Sequence, residues 1–256
     1  MLKKATLAVA ICGALSFTGC GPASENDEIV QNLIQAGFPE NDIQIYDGQV
    51  YVGRDAHVTL EASREMLQTP TAGTREEQYR TSNLVSLSVT KICINPTSSW
   101  NSYSKLSQGL DLAIANYNAL GLSFTMARGP TTGCSANISA RTTTGAGGSS
   151  GFPSGGLPYS IINVGTGTTS YSLDVNEHVI THELGHTIGF RHSDYYNRSI
   201  SCGTGGNEGS AGVGAILIPG TPSTATVGGS VMNSCFRTSE TGEFTSSDKT
   251  ALWALY

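Results

Sequence analysis

Three of the chain's five histidines fall in one short stretch, His182-Glu183-Leu184-Gly185-His186-Thr187-Ile188-Gly189-Phe190-Arg191-His192. On a helix, His182 and His186 are four apart, so their rings leave one face and can share a metal ion. Glu183 follows the first ligand and can reach a water bound by that ion. Gly189 can take a positive φ, ending the helix and turning the chain so that His192 becomes a third ligand. Three neutral imidazoles and one open position describe a catalytic zinc site rather than a closed structural one. Such an ion lowers the pKa of its water toward about 7 and polarises a carbonyl. Glu183 is then the general base for attack on a peptide bond and the acid for the leaving nitrogen. Asp194 is a rival third ligand, but three histidines already complete the set. His178 shares the ligand face one turn earlier, beyond reach of the metal, and reads as a helix-start residue.

Downstream, Ser230-Val231-Met232-Asn233 puts a methionine in a tight polar turn. The extended histidine motif followed by such a turn is the metzincin signature. Over residues 83–256 the chain resembles a metzincin zinc endopeptidase. The words ITHELGHTIGFRHSDYYNRSISCG and SVMNSC are most similar to the dual-action HEIGH metallo-peptidase (protease B-like) family, with Leu184 where that name spells Ile. The resemblance implies an α+β fold: a twisted, mostly parallel sheet, two long helices, and a small C-terminal subdomain (Ser193 to Tyr256) carrying the Met-turn. It makes Met232 a hydrophobic floor beneath the three histidines and Ser149–Phe152 an edge strand above the cleft, able to pair with an extended peptide. Some metzincins carry a Tyr two residues after the Met as an extra ligand; Ser234 stands there, so no such ligand is expected. For Tyr195 and Tyr196, surface packing is favoured over oxyanion stabilisation.

The elements that must hold this site follow from patterning. A capping box at Asp174 and Glu177 is expected to open the ligand helix. Ile180, Leu184 and Ile188 form an apolar row opposite the histidines. Before it come a strand at 84–94, a helix with Tyr103, Leu106, Leu110, Ala113, Ile114 and Tyr117 in phase, strands at 122–127, 136–143 and 160–164, and a Gly/Ser-rich stretch at 145–156. Thr245 and Asp248 cap a last helix with Ala251, Leu252, Leu255 and Tyr256 on its apolar face.

Ahead of the catalytic part, residues 1–19 read as a signal peptide: Lys3 and Lys4, then an apolar run too short for a comfortable membrane span. The run ends in Ser16-Phe17-Thr18-Gly19-Cys20, which resembles a lipobox and implies acylation of Cys20. Gly21 resembles the residue found in lipoproteins sorted to the outer membrane of a diderm cell. Export to that membrane or the cell surface is expected, with release after processing a further option. Residues 20–82 hold a polar tether (21–28), a small α+β unit (29–68) with a hairpin at Asp47-Gly48 and a second helix at 60–67, and a Thr/Pro/Gly-rich linker. The unit reads as a propeptide, or else as a permanent spacer. No Cys lies between Cys20 and Cys93, which excludes a cysteine switch; by resemblance Asp47 or Asp55 is the candidate zinc-blocking residue, though each also reads as a plain turn residue.

Cys93, Cys134, Cys202 and Cys235 meet an oxidising compartment and allow three pairings. Cys93–Cys134 with Cys202–Cys235 is favoured, since each bridge then stays in one half of the domain, closing loops worth about 3–4 kcal/mol each. Residues 21–80 carry eleven acids against four arginines, net −7, whereas 81–256 carry nine acids against eight bases, net −1. No basic stripe invites nucleic acid. Protein or peptide substrates, a lipid-anchored membrane contact, one catalytic Zn2+ and a monomer are expected. The competing function is a lipid-anchored binding module with a purely structural zinc; Glu183 argues against it, because a structural site needs no carboxylate beside an open position.

Overall fold

The computed structural model describes residues 24–68, 78–209, 215–222 and 224–256. The signal segment, Cys20 and residues 69–77 of the linker lie outside the described residues. Among the described residues no helix is long and apolar enough to cross a membrane.

The N-terminal unit consists of α1 (Glu25–Gln35), β1 (Gln44–Tyr46), β2 (Gln49–Val52), β3 (Ala56–His57) and α2 (Leu60–Met66). The tether expected at 21–28 is already helical from Glu25. Ser24 and Asp27 form a reciprocal capping box that satisfies two free donors of the first turn. Asp47 and Gly48 both take positive φ in the β1–β2 turn, so Asp47 is a turn residue. Ile29, Leu33, Val50, Val52, Ala56 and Val58 form a core of their own, into which Phe152 from the following part inserts.

The larger part begins with β4 (Tyr79–Arg80) and β5 (Lys91–Pro96), α3 (Ser98–Ser102) and α4 (Ser104–Asn118). Then follow β6 (Thr125–Arg128), β7 (Ala136–Thr143), β8 (Gly148–Gly151), β9 (Ile161–Gly165) and α5 (Leu173–Thr187), and last α6 (Ser199–Cys202), β10 (Ile216–Leu217) and α7 (Ser246–Leu255). The strand expected at 84–94 is only β5. Residues 86–89 turn instead, because the Ser86 hydroxyl accepts from Ser88 N and Val89 N donates to Ser86 O, a local closure that competes with a ladder. The helix expected with Tyr103 to Tyr117 in phase is α4, which begins at Ser104; Tyr103, with an extended backbone, separates it from α3.

One eight-stranded sheet runs through both units in the order β1-β2-β3-β8-β9-β7-β5-β6. β5, β6, β7 and β9 are parallel neighbours, while β8 is antiparallel to β9. This is the mixed α+β, mostly parallel arrangement expected, with α4 and α5 as its two long helices. The core between them holds Trp100, Leu106, Leu110, Ile138, Ile162, Ile180, Leu184 and Ile188. The edge strand covers Gly148–Gly151 and is paired in parallel by β3 of the N-terminal unit, with Ala56 opposite Ser150 and His57 opposite Gly151.

Disulfides join Cys93 to Cys134 and Cys202 to Cys235, the pairings favoured from sequence. At the C-terminus, Thr245 and Asp248 form the capping box of α7.

Candidate metal centre

The ligand helix α5 starts at Ser172, whose hydroxyl accepts from Val175 N. The capping box expected at Asp174 and Glu177 does not form, because the Glu177 carboxylate is taken by Asn116 Nδ2 at 2.7 Å. The helix stops where predicted. Gly189 has φ 107°, and a Cβ there would lie 2.6 Å from Asn83 O, so conformation and space both require glycine. Beyond it the chain is clamped by the β4 segment: Thr81 N donates to Gly189 O, and Arg191 N to Tyr79 O at 2.8 Å. That clamp swings His192 back toward the helix.

The three imidazoles are buried and converge. His182 Nε2 lies 3.1 Å from His186 Nε2 and 3.3 Å from His192 Nε2. His182 Nδ1 donates to Val231 O and His186 Nδ1 to Phe190 O, both at 2.8 Å. A carbonyl only accepts, so these two rings carry their proton on Nδ1 and turn a bare Nε2 lone pair toward the cluster. His192 Nδ1 is engaged likewise by the Glu208 carboxylate at 2.6 Å. Lone pairs facing one another at such distances repel unless a cation lies between them. Three donors about 2.0–2.1 Å from one tetrahedral zinc stand about 3.3–3.4 Å apart, so the residues fit that ion.

A fourth donor arrives from the N-terminal unit. Asp55, directly before β3, brings Oδ2 to 3.1 Å from His192 Nε2 and 3.7 Å from His182 Nε2, and Oδ1 to 3.6 Å from His186 Nε2. Asp55, His182, His186 and His192 thus form a group able to hold one metal ion. Asp194 is not part of the group. Its oxygens accept from the hydroxyls of Ser201 and Ser234 at 2.6 and 2.7 Å.

Glu183 is buried beside the cluster, with Oε2 lacking a hydrogen-bond partner among the described residues. Burial first, then the Asp55 carboxylate, push its carboxyl well above the usual range. The edge strand presses on it: a Cβ at Gly148 would lie 2.4 Å from Glu183 Oε1 and 2.8 Å from Asn163 O. A small cavity beside Glu183 is bounded by Asp55, Gly148, His178, Val179 and Phe236. His178 is buried there, and burial pushes it down to about 4.

The turn at 230–233 backs the histidines. Met232 is buried, and its carbonyl accepts from Ser193 N, the residue after His192. Asp248 holds the turn by accepting from Ser230 Oγ at 2.6 Å and Val231 N at 3.0 Å, while Gln78 Nε2 donates to it at 2.8 Å. Tyr195, expected at the surface, is buried with its ring 4.3 Å from that of Tyr79, because β4 covers the chain beyond His192.

Sequence reasoning missed Glu208, Arg198 and Asp42. Arg198 pairs with Asp42 at 3.2 Å and lies 3.6 Å from Glu208, and Arg191 pairs with Glu208 at 3.3 Å. One signal was present: Glu208 is the only charged residue between Arg198 and Arg237.

The family model described as dual-action HEIGH metallo-peptidase matches residues 50–256, a span that includes Asp55 and the whole cluster. No curated protein matches. Among solved structures, myroilysin is similar at 15% identity and a TM-score of 0.44, covering 70% of this chain and 98% of that one. High choriolytic enzyme 1, a hatching enzyme zinc-protease from Oryzias latipes (Medaka fish), is similar at 15% identity and a TM-score of 0.42, covering 68% of this chain and 92% of its own.

Proposed function

The chain belongs to the dual-action HEIGH metallo-peptidase family, and from that premise we propose that it is a zinc endopeptidase held latent by its own N-terminal unit. The observation that carries the reading is the convergence of the three Nε2 atoms beside a buried, unpaired Glu183 oxygen. A zinc ion bound there supplies an acidic water and a polarised substrate carbonyl. Glu183 takes the proton of the attacking water and returns it to the leaving nitrogen. The backbone carbonyls of Val231 and Phe190 fix the His182 and His186 rings so that their lone pairs are already aimed. Met232 serves as the floor of the metzincin Met-turn.

Latency rests on two contacts. Asp55 would hold the ion together with the three histidines in place of a water, and β3 pairs with the edge strand that an extended substrate would use. Of the two aspartates considered from sequence, Asp55 is the switch. From sequence alone, we also propose export, acylation at Cys20, protein or peptide substrates and a monomeric enzyme.

The rival reading, a binding module with a structural zinc, draws support from the same closed four-donor set. The two part on removal of the N-terminal unit. An enzyme then hydrolyses peptides and loses that activity to a chelator, zinc restoring it. Glu183→Gln keeps the metal and loses about 10²–10⁴-fold or more of the rate, the span of general acid–base contributions. A processed, zinc-loaded protein that cleaves no member of a peptide library overturns the enzyme reading.

A further inference from the structure

The three imidazoles are not supported alike. His182 and His186 stand on α5, whose hydrogen-bonded turns fix their Cα positions, and each leans on a backbone carbonyl. His192 lies beyond the helix, on a loop. Its Nδ1 leans on a side chain, Glu208 Oε1, at 2.6 Å. Glu208 is 2% exposed and lies sixteen residues further along the chain. It is held in turn from two sides. Arg191 NH2 donates to its backbone carbonyl at 2.9 Å and to Oε2 at 3.3 Å, and Arg198 NH1 stands 3.6 Å from Oε1.

We propose that Glu208 is the positioning residue of the third metal ligand. Its carboxylate keeps the proton of His192 on Nδ1, turns Nε2 toward the metal, and strengthens that nitrogen as a donor through a charge-assisted hydrogen bond. A helix sets the first two ligands; the third, on a loop, needs this strut. The two arginines neutralise the strut and stop it rotating away. A merely structural Glu208 would serve only to balance two buried arginines, and the metal would not register its charge.

The test uses the full chain. Zinc affinity is measured by competition with a fluorescent chelator, and the ligand field is read from the visible absorption of the cobalt-substituted protein. Glu208→Gln keeps the shape and an acceptor oxygen but removes the charge. It is expected to weaken zinc about 10–100-fold, the usual cost of losing such a partner, and to shift the cobalt bands. Arg198→Gln, which leaves the Glu208–His192 bond but loosens one side of the strut, should weaken zinc less than Glu208→Gln does. A folded Glu208→Gln protein with wild-type zinc affinity and cobalt spectrum overturns the proposal. A second measurement covers failure of that variant to fold. In the zinc-loaded wild type, nitrogen-15 NMR of the histidines should show an Nδ1 proton on His192, downfield of those on His182 and His186 and slower to exchange with water. A His192 ring with no proton on Nδ1 also overturns it.

Discussion

In the proposed latent enzyme, Asp55 and Glu183 are two carboxylates with opposed tasks in one small space. Asp55 faces all three ligand nitrogens, while Glu183 keeps an oxygen unpaired beside them. Removing the Asp55 side chain should therefore loosen latency while leaving Glu183 in place beside the cluster. Asp55→Ala in the full chain is expected to raise peptide hydrolysis on the order of tenfold or more, since about 1.4 kcal/mol of lost hold is already a factor of ten. Activity should stay below that of the processed enzyme, because β3 still covers the edge strand. Initial rates on one peptide, variant against wild type, check this; an unchanged rate removes Asp55 from the switch. The motif from His182 to His192 was legible because a helix and one glycine make those contacts local. Asp55 was only one of two candidate turn aspartates, because its partners lie more than a hundred residues away. Glu177 makes a separate case. Burial pushes it up to about 7, against the opposing bond from Asn116. The folded chain thus binds a proton there that the unfolded chain releases near 4.5, so this contribution to stability is present below 4.5 and is lost as pH rises through 7. Calorimetry from pH 4.5 to 7 should show a fall in Tm that Glu177→Gln reduces. An identical pH slope in both proteins would refute the assignment.

Among the elements, β8 and the β4 segment do most to shape the site, and neither has a strong pattern. β8 reads Gly-Ser-Ser-Gly, equally the sequence of a loop, and is a strand because it lies between β9 and β3. Its first glycine lets the strand pass against Glu183. Gly148→Ala puts a methyl group against Glu183 Oε1 and, at 2.8 Å, against the backbone oxygen of Asn163. Rotating Glu183 relieves only the first clash, so the strand must shift. Overpacking of this kind costs about 1–3 kcal/mol. The processed variant is expected to keep its zinc, to melt lower, and to lose kcat/KM as the carboxylate is displaced. Normal kcat/KM would mean that β8 does not constrain the base. The helices were easier to anticipate, since α4, α5 and α7 bury apolar residues at helical spacing. Their ends were harder: Ser172 caps α5 while Glu177, in a plausible capping position, answers to Asn116 on a neighbouring helix.

Across the whole molecule, the N-terminal unit and the catalytic part share one sheet and several buried contacts. Phe152 enters the unit's core, the Arg191 guanidinium lies 4.4 Å over the Phe38 ring, and Asn83 Nδ2 donates to Ala62 O and Glu65 Oε2. Composition alone placed a division near 69–82, and charge marked the acidic side of it, but pairwise contacts across that division have no sequence signature. The division bears on the proposed activation. Gln78 reaches Asp248 beneath the 230–233 turn, Tyr79 and Arg80 pair with β10, and Thr81 and Tyr79 clamp the chain around Gly189. Residues 78–81 are thus built into the support of His192 and Met232, although they precede the sheet's own first catalytic strand. A cut that removed them would strip those bonds from the chain between the second and third histidines. Processing is therefore expected to leave Gln78 in the enzyme, with the new N-terminus between 69 and 78. Arg80, a plausible site for a trypsin-like protease by residue type, should be spared, because its strand pairing with Ile216 and its bridge to Phe190 keep the backbone out of a protease's reach. Sequencing the N-terminus of the active species tests this directly. A matched pair of chains, one beginning at Gln78 and one at Asn83, tests the reason: only the first should bind zinc with full affinity and hydrolyse peptides. An active, zinc-tight chain beginning at Asn83 would show that the β4 clamp is dispensable and that the third ligand is held by the Glu208 side alone.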